Sequence, residues 1–121
     1  MVDGLCVPDH VPAASALIGV EPITAARARL MLKALAEPIR LQLIEVLGEG
    51  ERCVCELTGE LGLAQSKLSF HLKVLKEAGL ITPREDGRWV YYRLEPASLE
   101  HLRAWLGELA CRCTTPAAPC C

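Results

Sequence analysis

Seven cysteines are the residues of this chain whose chemistry and spacing are most informative, because six of them form three close pairs. The pairs are Cys53 with Cys55, Cys111 with Cys113, and Cys120 with Cys121. Thiolates bind soft metal and metalloid ions, and thiols also undergo reversible oxidation. Metal or metalloid binding, redox sensing and a purely structural role as small buried residues are all open for the first pair.

The N-terminal residues indicate the compartment in which these thiols work. The first twenty residues lack the basic start of a signal peptide and carry Asp3 and Asp9 instead. An odd cysteine count also argues against a secreted disulfide framework. No apolar run reaches the ~18–20 residues needed to cross a bilayer. We therefore expect a cytoplasmic protein with reduced thiols and no membrane partner.

Length and charge favour one small domain with a locally basic surface. A chain of 121 residues with 51% hydrophobic residues is large enough to bury a single core. The net charge is −2, but residues 64–93 contain six cations and three anions, which leaves −5 for the remainder. Such a basic segment is either a solvated helix face or a surface for an anionic polymer such as DNA.

Capping and turn residues predict four helices in the first two thirds of the chain. They are Ala25–Leu35, a helix from Pro38 to Gly48, Cys53–Leu61 and Gln65–Ala78. Thr24 is a suitable N-cap, and Pro38 fits the first helical position. We expect the second helix to be almost entirely core. In the first helix, the apolar residues at helical spacing are Ala26, Leu30, Leu32 and Leu35.

The fourth helix has the pattern of a DNA reader. The turn Gly62-Leu63-Ala64 before it has the length of a helix-turn-helix connection. Its apolar residues, with Leu68, Leu72 and Leu75 at the centre and Phe70 and Val74 beside them, are expected to face the core. The outward-facing set is Gln65, Ser66, Lys67, Ser69, His71 and Lys73. These types can contact base edges or phosphates in the major groove, although a merely solvated face is the alternative.

A β-hairpin follows the reader helix. Ile81–Arg84 and Trp89–Arg93 have strand composition, and Asp86-Gly87 between them is a strong turn signal. We expect Trp89 to anchor the hairpin, and Arg84 and Arg88 to lie at its tip and contact the DNA backbone. The predicted fold class is therefore mostly α with a small β-hairpin, a winged helix-turn-helix.

The run CVCELTGELGLAQSKLSFHLKVLKEAGLITPREDGRWVYYRLEP resembles the arsenic repressor family of metal-sensing winged-helix proteins. The resemblance covers roughly residues 32–96. It implies a homodimeric repressor that binds palindromic operator DNA without a cofactor and releases it when an inducer, As(III) or Sb(III), binds cysteine thiolates. No small-molecule substrate is implied, and the chain offers no nucleophile–base arrangement or Gly-rich phosphate loop typical of an enzyme.

Geometry predicts how such a switch works. Cys53 and Cys55 open the predicted third helix next to Arg52, where positive potential favours thiolates. Residues two apart on an α-helix point about 200° away from each other. One ion bound by both sulfurs is therefore expected to distort the start of the helix and to oppose DNA binding.

The third ligand is less determined. Arsenic-sensing relatives often have a cysteine one helical turn after the pair, where this chain has Thr58. The remaining candidates are Cys111 and Cys113, which could instead form a separate site between subunits. Cys6 is a further candidate. Cys120 and Cys121 are candidates too, or else they are adventitious thiols in a C-terminal tail. Two-sulfur ligation is also open.

Other inducers compete with arsenic. Zinc sensors of this family use carboxylates and histidines on the C-terminal helix, and Glu100, His101 and Glu108 lack the paired ligand spacing. Cadmium or lead on a thiol-rich site remains an alternative, and so does regulation by thiol oxidation. A metal-buffering protein is a further alternative, although it would not need a reader helix.

The termini complete the predicted organisation. Residues 1–22 form a mobile arm with a short helical turn near 13–18, residues 23–112 form the winged helix-turn-helix domain, and residues 113–121 form a cysteine-containing tail. The first helix and a C-terminal helix from Ala97 to about Cys113 are expected to form the dimer interface. The C-terminal helix carries an apolar stripe, which could equally complete the monomer core. Its members are Leu99, Leu102, Leu106 and Leu109, with Trp105 beside them.

Overall fold

Five helices and a three-stranded sheet make up the computed structural model, which describes residues 22–113 and 116–119. The order is α1 (Ala25–Leu35), α2 (Pro38–Leu47), β1 (Arg52–Cys53), α3 (Val54–Leu61), α4 (Gln65–Glu77), β2 (Ile81–Asp86), β3 (Trp89–Leu94) and α5 (Pro96–Arg112). The predicted N-terminal arm, apart from Pro22, lies outside the described residues, and so do Cys6, Cys120 and Cys121.

Local signals fix the first two helices as the sequence predicts. The Thr24 hydroxyl accepts a hydrogen bond from the Arg27 backbone N–H at 3.1 Å, and α1 begins directly after it. Pro38 occupies the first turn of α2, where its missing N–H costs nothing. Glu37 caps α2 by accepting from the Arg40 backbone N–H at 3.0 Å, and this bond lowers the pKa of the Glu37 carboxyl.

The core lies where these helices meet α4 and β2. Its completely or almost completely buried members include Met31, Leu43, Leu57, Leu68, Leu75 and Leu80. In α1 the buried residues are Ala28, Met31 and Ala34, whereas Leu30 is exposed. The expectation that the second helix is almost entirely core is wrong. In α2 the core residues are Leu43 and Leu47, and Leu41 is exposed, because an amphipathic surface helix buries only one face.

The helix-turn-helix is confirmed. Gly62 ends α3 in the left-handed conformation, with φ of 64°, and its N–H donates to the Thr58 carbonyl. This geometry suits glycine because a side chain would be strained there. Three residues later α4 begins at Gln65 and directs Leu68, Leu72 and Leu75 into the core.

The hairpin is confirmed and is longer than predicted, because its strands run to Asp86 and resume at Trp89. Asp86 pairs with Trp89, so Gly87 and Arg88 alone form the loop, and Gly87 has a φ of 64°. A third strand, β1, which the sequence did not predict, pairs with β3 through Arg52 opposite Tyr92 and Cys53 opposite Tyr91. This wing sheet, β1–β3–β2, therefore includes one of the candidate ligands.

The surface of α5 is only partly covered. Leu102 is buried and Leu99 and Trp105 are half-buried, whereas Leu106 and Leu109 are exposed. Part of the predicted apolar stripe thus completes the core, and part remains uncovered. Among the described residues, no helix combines the length and apolarity required of a membrane span.

Candidate thiol pair and nucleic-acid interface

Cys53 and Cys55 lie on either side of the start of α3. Cys53 is the last residue of β1 and the N-cap of α3, with φ of −82° and ψ of 161°, and the helix begins at Val54. The prediction that Cys53 is already helical is therefore wrong. The reason is the pairing of Cys53 with Tyr91, which keeps it in an extended conformation.

The two thiols are close together. Their Sγ atoms are 2.8 Å apart, so the prediction that they point to opposite sides of a regular helix is also wrong. An extended N-cap turns the first side chain toward the helix axis, where it meets the side chain of the first turn. On a tetrahedral ion with metal–sulfur bonds of about 2.3 Å, two sulfurs lie about 3.8 Å apart. Chelation by this pair thus requires the two sulfurs to move about 1 Å farther apart and does not require a helical turn to unwind.

Hydrogen bonding and burial affect the protonation of Cys53. The hydrogen bond with Cys55, together with desolvation, raises the pKa of the Cys53 thiol above its ordinary value. The expectation that the helix terminus and Arg52 favour a thiolate is therefore wrong for Cys53. Its backbone N–H donates to the Glu56 carboxylate at 2.9 Å, and this bond lowers the pKa of Glu56.

Among the described residues of one protomer, no third ligand lies beside this pair. The Thr58 hydroxyl donates to the Cys55 carbonyl, three residues earlier in α3, at 2.8 Å. Cys111 is half-buried in α5, and the exposed Cys113 donates from its thiol to the Ala110 carbonyl at 2.9 Å. Within residues 22–113 and 116–119, no three or more Cys, His, Asp or Glu side chains are grouped to hold a metal ion.

The segment before the thiol pair is tied to the wing by an ion pair. Arg84 donates to both carboxylate oxygens of Glu51, at 3.0 Å from Nε and 2.8 Å from Nη2, and its guanidinium lies 4.5 Å from the centre of the Tyr91 ring. The ion pair lowers the pKa of Glu51 and raises that of Arg84. Arg84 thus lies within β2 and not at the hairpin tip as predicted, whereas Arg88 is in the loop.

Most of the predicted reader residues are exposed, and one is not. The exposed set comprises Gln65, Ser66, Lys67, Ser69 and Lys73. The prediction that His71 faces outward is wrong, because His71 is 6% exposed and its Nδ1 lies 3.1 Å from Arg40 Nη1. Its helical position predicts this burial, since it follows Leu68 by three residues and precedes Leu75 by four.

Two exposed aromatic residues were assigned to packing from the sequence. Phe70 was expected beside the core and is 59% exposed, and Trp89 of the hairpin is 52% exposed. The exposure of Phe70 could have been predicted from its position in the helix. It follows the buried Leu68 by two residues and therefore points about 200° away from it.

Similarity to known proteins agrees with this geometry. Residues 37–82 match the family model described as bacterial regulatory protein, arsR family. A solved structure described as a possible transcriptional regulator for arsenical resistance is 46% identical, covers 65% of this chain and 82% of its own, and superimposes with a TM-score of 0.60. The chain belongs to the ArsR family. Its fold is that family's winged helix-turn-helix, as predicted.

Two further relatives are similar to this chain over a smaller share of their own length. The arsenical resistance operon repressor of Escherichia coli is 42% identical over 80 residues, which are 65% of each chain. The transcriptional repressor SmtB of Mycobacterium tuberculosis is 44% identical over 72 residues, 60% of this chain and 53% of that protein. The similar region thus spans about half to two thirds of these relatives. Both are described as repressors rather than enzymes.

Proposed function

We propose that this chain is a homodimeric, cytoplasmic repressor that binds operator DNA and releases it when As(III) or Sb(III) binds Cys53 and Cys55. The observation that carries the proposal is the 2.8 Å separation of the two sulfurs at the junction of the wing sheet and the helix-turn-helix. Soft trivalent ions prefer thiolates. The arsenical resistance relatives support this class of inducer.

DNA binding is assigned to the exposed face of α4 and the wing loop. Gln65, Ser66 and Ser69 lie in the first half of the helix, the part that enters the major groove in helix-turn-helix proteins. Lys67, Lys73 and Arg88 supply positive charge for phosphates. No cofactor or small-molecule substrate is required for this step.

A homodimer provides two readers. The exposed apolar residues that α1 and α5 offer for the interface include Leu30 and Leu32 of α1 and Leu106 and Leu109 of α5. The two half-sites would then lie about one DNA turn, or a multiple of it, apart. A partner protomer is also the natural source of a third sulfur, from Cys111 or Cys113.

We propose that inducer binding is coupled to DNA binding through β1. Cys53 pairs with Tyr91 of the wing and is also the N-cap residue of α3, so an ion that moves its sulfur acts on the residue that joins these two elements. Both the wing and the reader helix depend on that junction for their position. Inducer and operator therefore favour different arrangements of it and oppose each other through one coupling free energy.

The test is release of operator DNA, measured by fluorescence anisotropy of a labelled duplex. Arsenite and antimonite should cause the wild-type chain to release the duplex. The C53S and C55S variants should bind the duplex but should not release it when either ion is added. The C111S/C113S double variant is the thiol-matched control, and loss of its response would place a third ligand there. Full response after both Cys53 and Cys55 are replaced would refute the assignment.

Thiol oxidation is the second candidate, and the sulfur contact itself favours it. Two thiols at 2.8 Å need little movement to form a disulfide under oxidation. Peroxide-induced release without metalloid, reversed by a reductant, would support this function. Parallel titrations with cadmium, lead and zinc distinguish the remaining ions, and tight zinc binding with release would count against arsenic as the inducer.

A further inference from the structure

The Phe70 ring is exposed in the middle of the polar face of α4. Phe70 follows Ser66 by four residues and precedes Lys73 by three, so the three side chains share one stripe of the helix. All three are exposed. A single exposed aromatic residue is ordinary on a protein surface. Its position among the residues assigned to DNA contact gives this one significance.

The rotation of α4 about its axis is fixed, and that makes the exposure of Phe70 a property of the fold. Leu68, Leu72 and Leu75 are buried on the opposite face. His71 adds a polar contact, because its Nδ1 lies 3.1 Å from Arg40 of α2. Rotation that buried Phe70 would expose these leucines and break that contact. The Phe70 ring also meets the His71 ring edge-on, with centroids 5.3 Å apart.

Base chemistry suggests what an exposed ring can recognise here. Among the base edges in the major groove, the thymine C5-methyl is an apolar group, and phenylalanine is one of the side chains that contact it. Serine, glutamine and lysine at neighbouring positions instead form hydrogen bonds with bases or phosphates. The combined face therefore suits a half-site in which a thymine lies among bases read by polar contacts.

We infer that Phe70 is a specificity-determining residue that contacts a thymine methyl group in each operator half-site. This inference rests on the proposed DNA-binding function. Removal of a methyl contact should weaken binding about fourfold per half-site, and hence about fifteenfold for a dimer on two half-sites. Truncation of the ring should have at least this effect.

The experiment uses duplexes selected from a randomised library by the full-length chain. Each thymidine of a selected duplex is then replaced by deoxyuridine, which removes only the methyl group. Wild type should lose affinity at one symmetric pair of positions. Phe70→Ala should bind the parent duplex more weakly and no longer distinguish thymidine from deoxyuridine at that pair, and Phe70→Leu should keep part of the distinction.

Lys73→Ala is the matched control on the same stripe. It should weaken binding to both duplexes equally and reduce the salt dependence, as expected for a phosphate contact. A wild-type chain that selects a duplex but tolerates every deoxyuridine overturns the Phe70 inference alone. Failure to select any duplex overturns the proposed DNA binding as well. A changed oligomeric state of Phe70→Ala would assign the ring to a protein contact and also overturn the inference.

Discussion

His71 of the reader helix and Arg40 of α2 are joined across 3.1 Å, between Nδ1 and Nη1. Because a guanidinium has no acceptor, Nδ1 accepts this hydrogen bond and Nε2 carries the ring hydrogen. Arg40 is itself fixed, since its Nε donates to the Ala34 carbonyl at 2.7 Å. The contact thus fixes the reader helix against the N-terminal helices.

Replacement of His71 by alanine should destabilise the fold by about 1–3 kcal/mol, because it removes a buried partner and leaves a cavity. Urea denaturation at one protein concentration measures the change. Lys73→Ala, which alters an exposed residue on the same helix, should change stability by no more than about 0.5 kcal/mol. Equal effects of the two variants would mean that the His71 contact contributes nothing to stability.

The Glu51–Arg84 ion pair should make stability depend on pH. Its hydrogen bonds lower the pKa of the folded-state Glu51 carboxyl, so the contribution is present above the unfolded-state pKa and is lost as pH falls through the folded-state value. Stability should therefore decline from about pH 5 toward pH 3, and E51Q should show a smaller part of this decline. Denaturation at pH 7 and pH 3.5 compares the two proteins. An identical decline in E51Q would contradict the assignment.

Ion binding by the thiol pair should strengthen as pH rises. The raised pKa of Cys53 means that its proton must be displaced by an incoming ion at neutral pH. The apparent affinity for Cd²⁺, followed by sulfur-to-metal charge-transfer absorbance, should increase steadily from pH 6.5 to 8.5. C53S should show a weaker pH dependence as well as a lower affinity. A flat profile in the wild type would indicate that Cys53 is not a ligand.

Two glycine-to-alanine substitutions should change the stability of the fold in opposite directions. Gly79 follows α4 with φ of 79°, and an added Cβ would meet the Arg27 guanidinium. G79A should therefore destabilise the fold by about 1–2 kcal/mol. Gly107 lies inside α5 with open space around it, so G107A should stabilise the fold by about 0.5–1 kcal/mol. Thermal unfolding of both variants provides the comparison, and a stabilised G79A would contradict the left-handed cap.

The exposed leucines of α5 should be required for dimerisation. A charged residue in place of Leu106 or Leu109 would be desolvated in an apolar interface, so L106E and L109E should be monomeric and bind operator about a hundredfold or more weakly. L41E is the matched control, because Leu41 is an exposed leucine on α2, outside the proposed interface. Sedimentation equilibrium gives the oligomeric state. A dimeric L106E/L109E double variant would place the interface elsewhere.

The sequence alone determined most of the framework. Thr24, Pro38 and Gly62 limit helices through bonds within a few residues of each, and Asp86-Gly87 specifies a tight turn in the same local way. Apolar spacing identified the reader helix, and the cysteine spacing identified the thiol pair. These features depend on short-range geometry, which a single chain segment expresses without knowledge of its neighbours.

Tertiary structure decided the arrangement of the candidate sites. A strand of two residues has no periodicity, so β1 and the extended conformation of Cys53 follow only from pairing with β3, some forty residues later. That pairing, and not the spacing of the cysteines, brings the sulfurs to 2.8 Å. Likewise, Arg40 and Glu51 acquire their partners, His71 and Arg84, only when distant segments pack together. Contacts between such segments depend on the whole fold, and no local pattern encodes them.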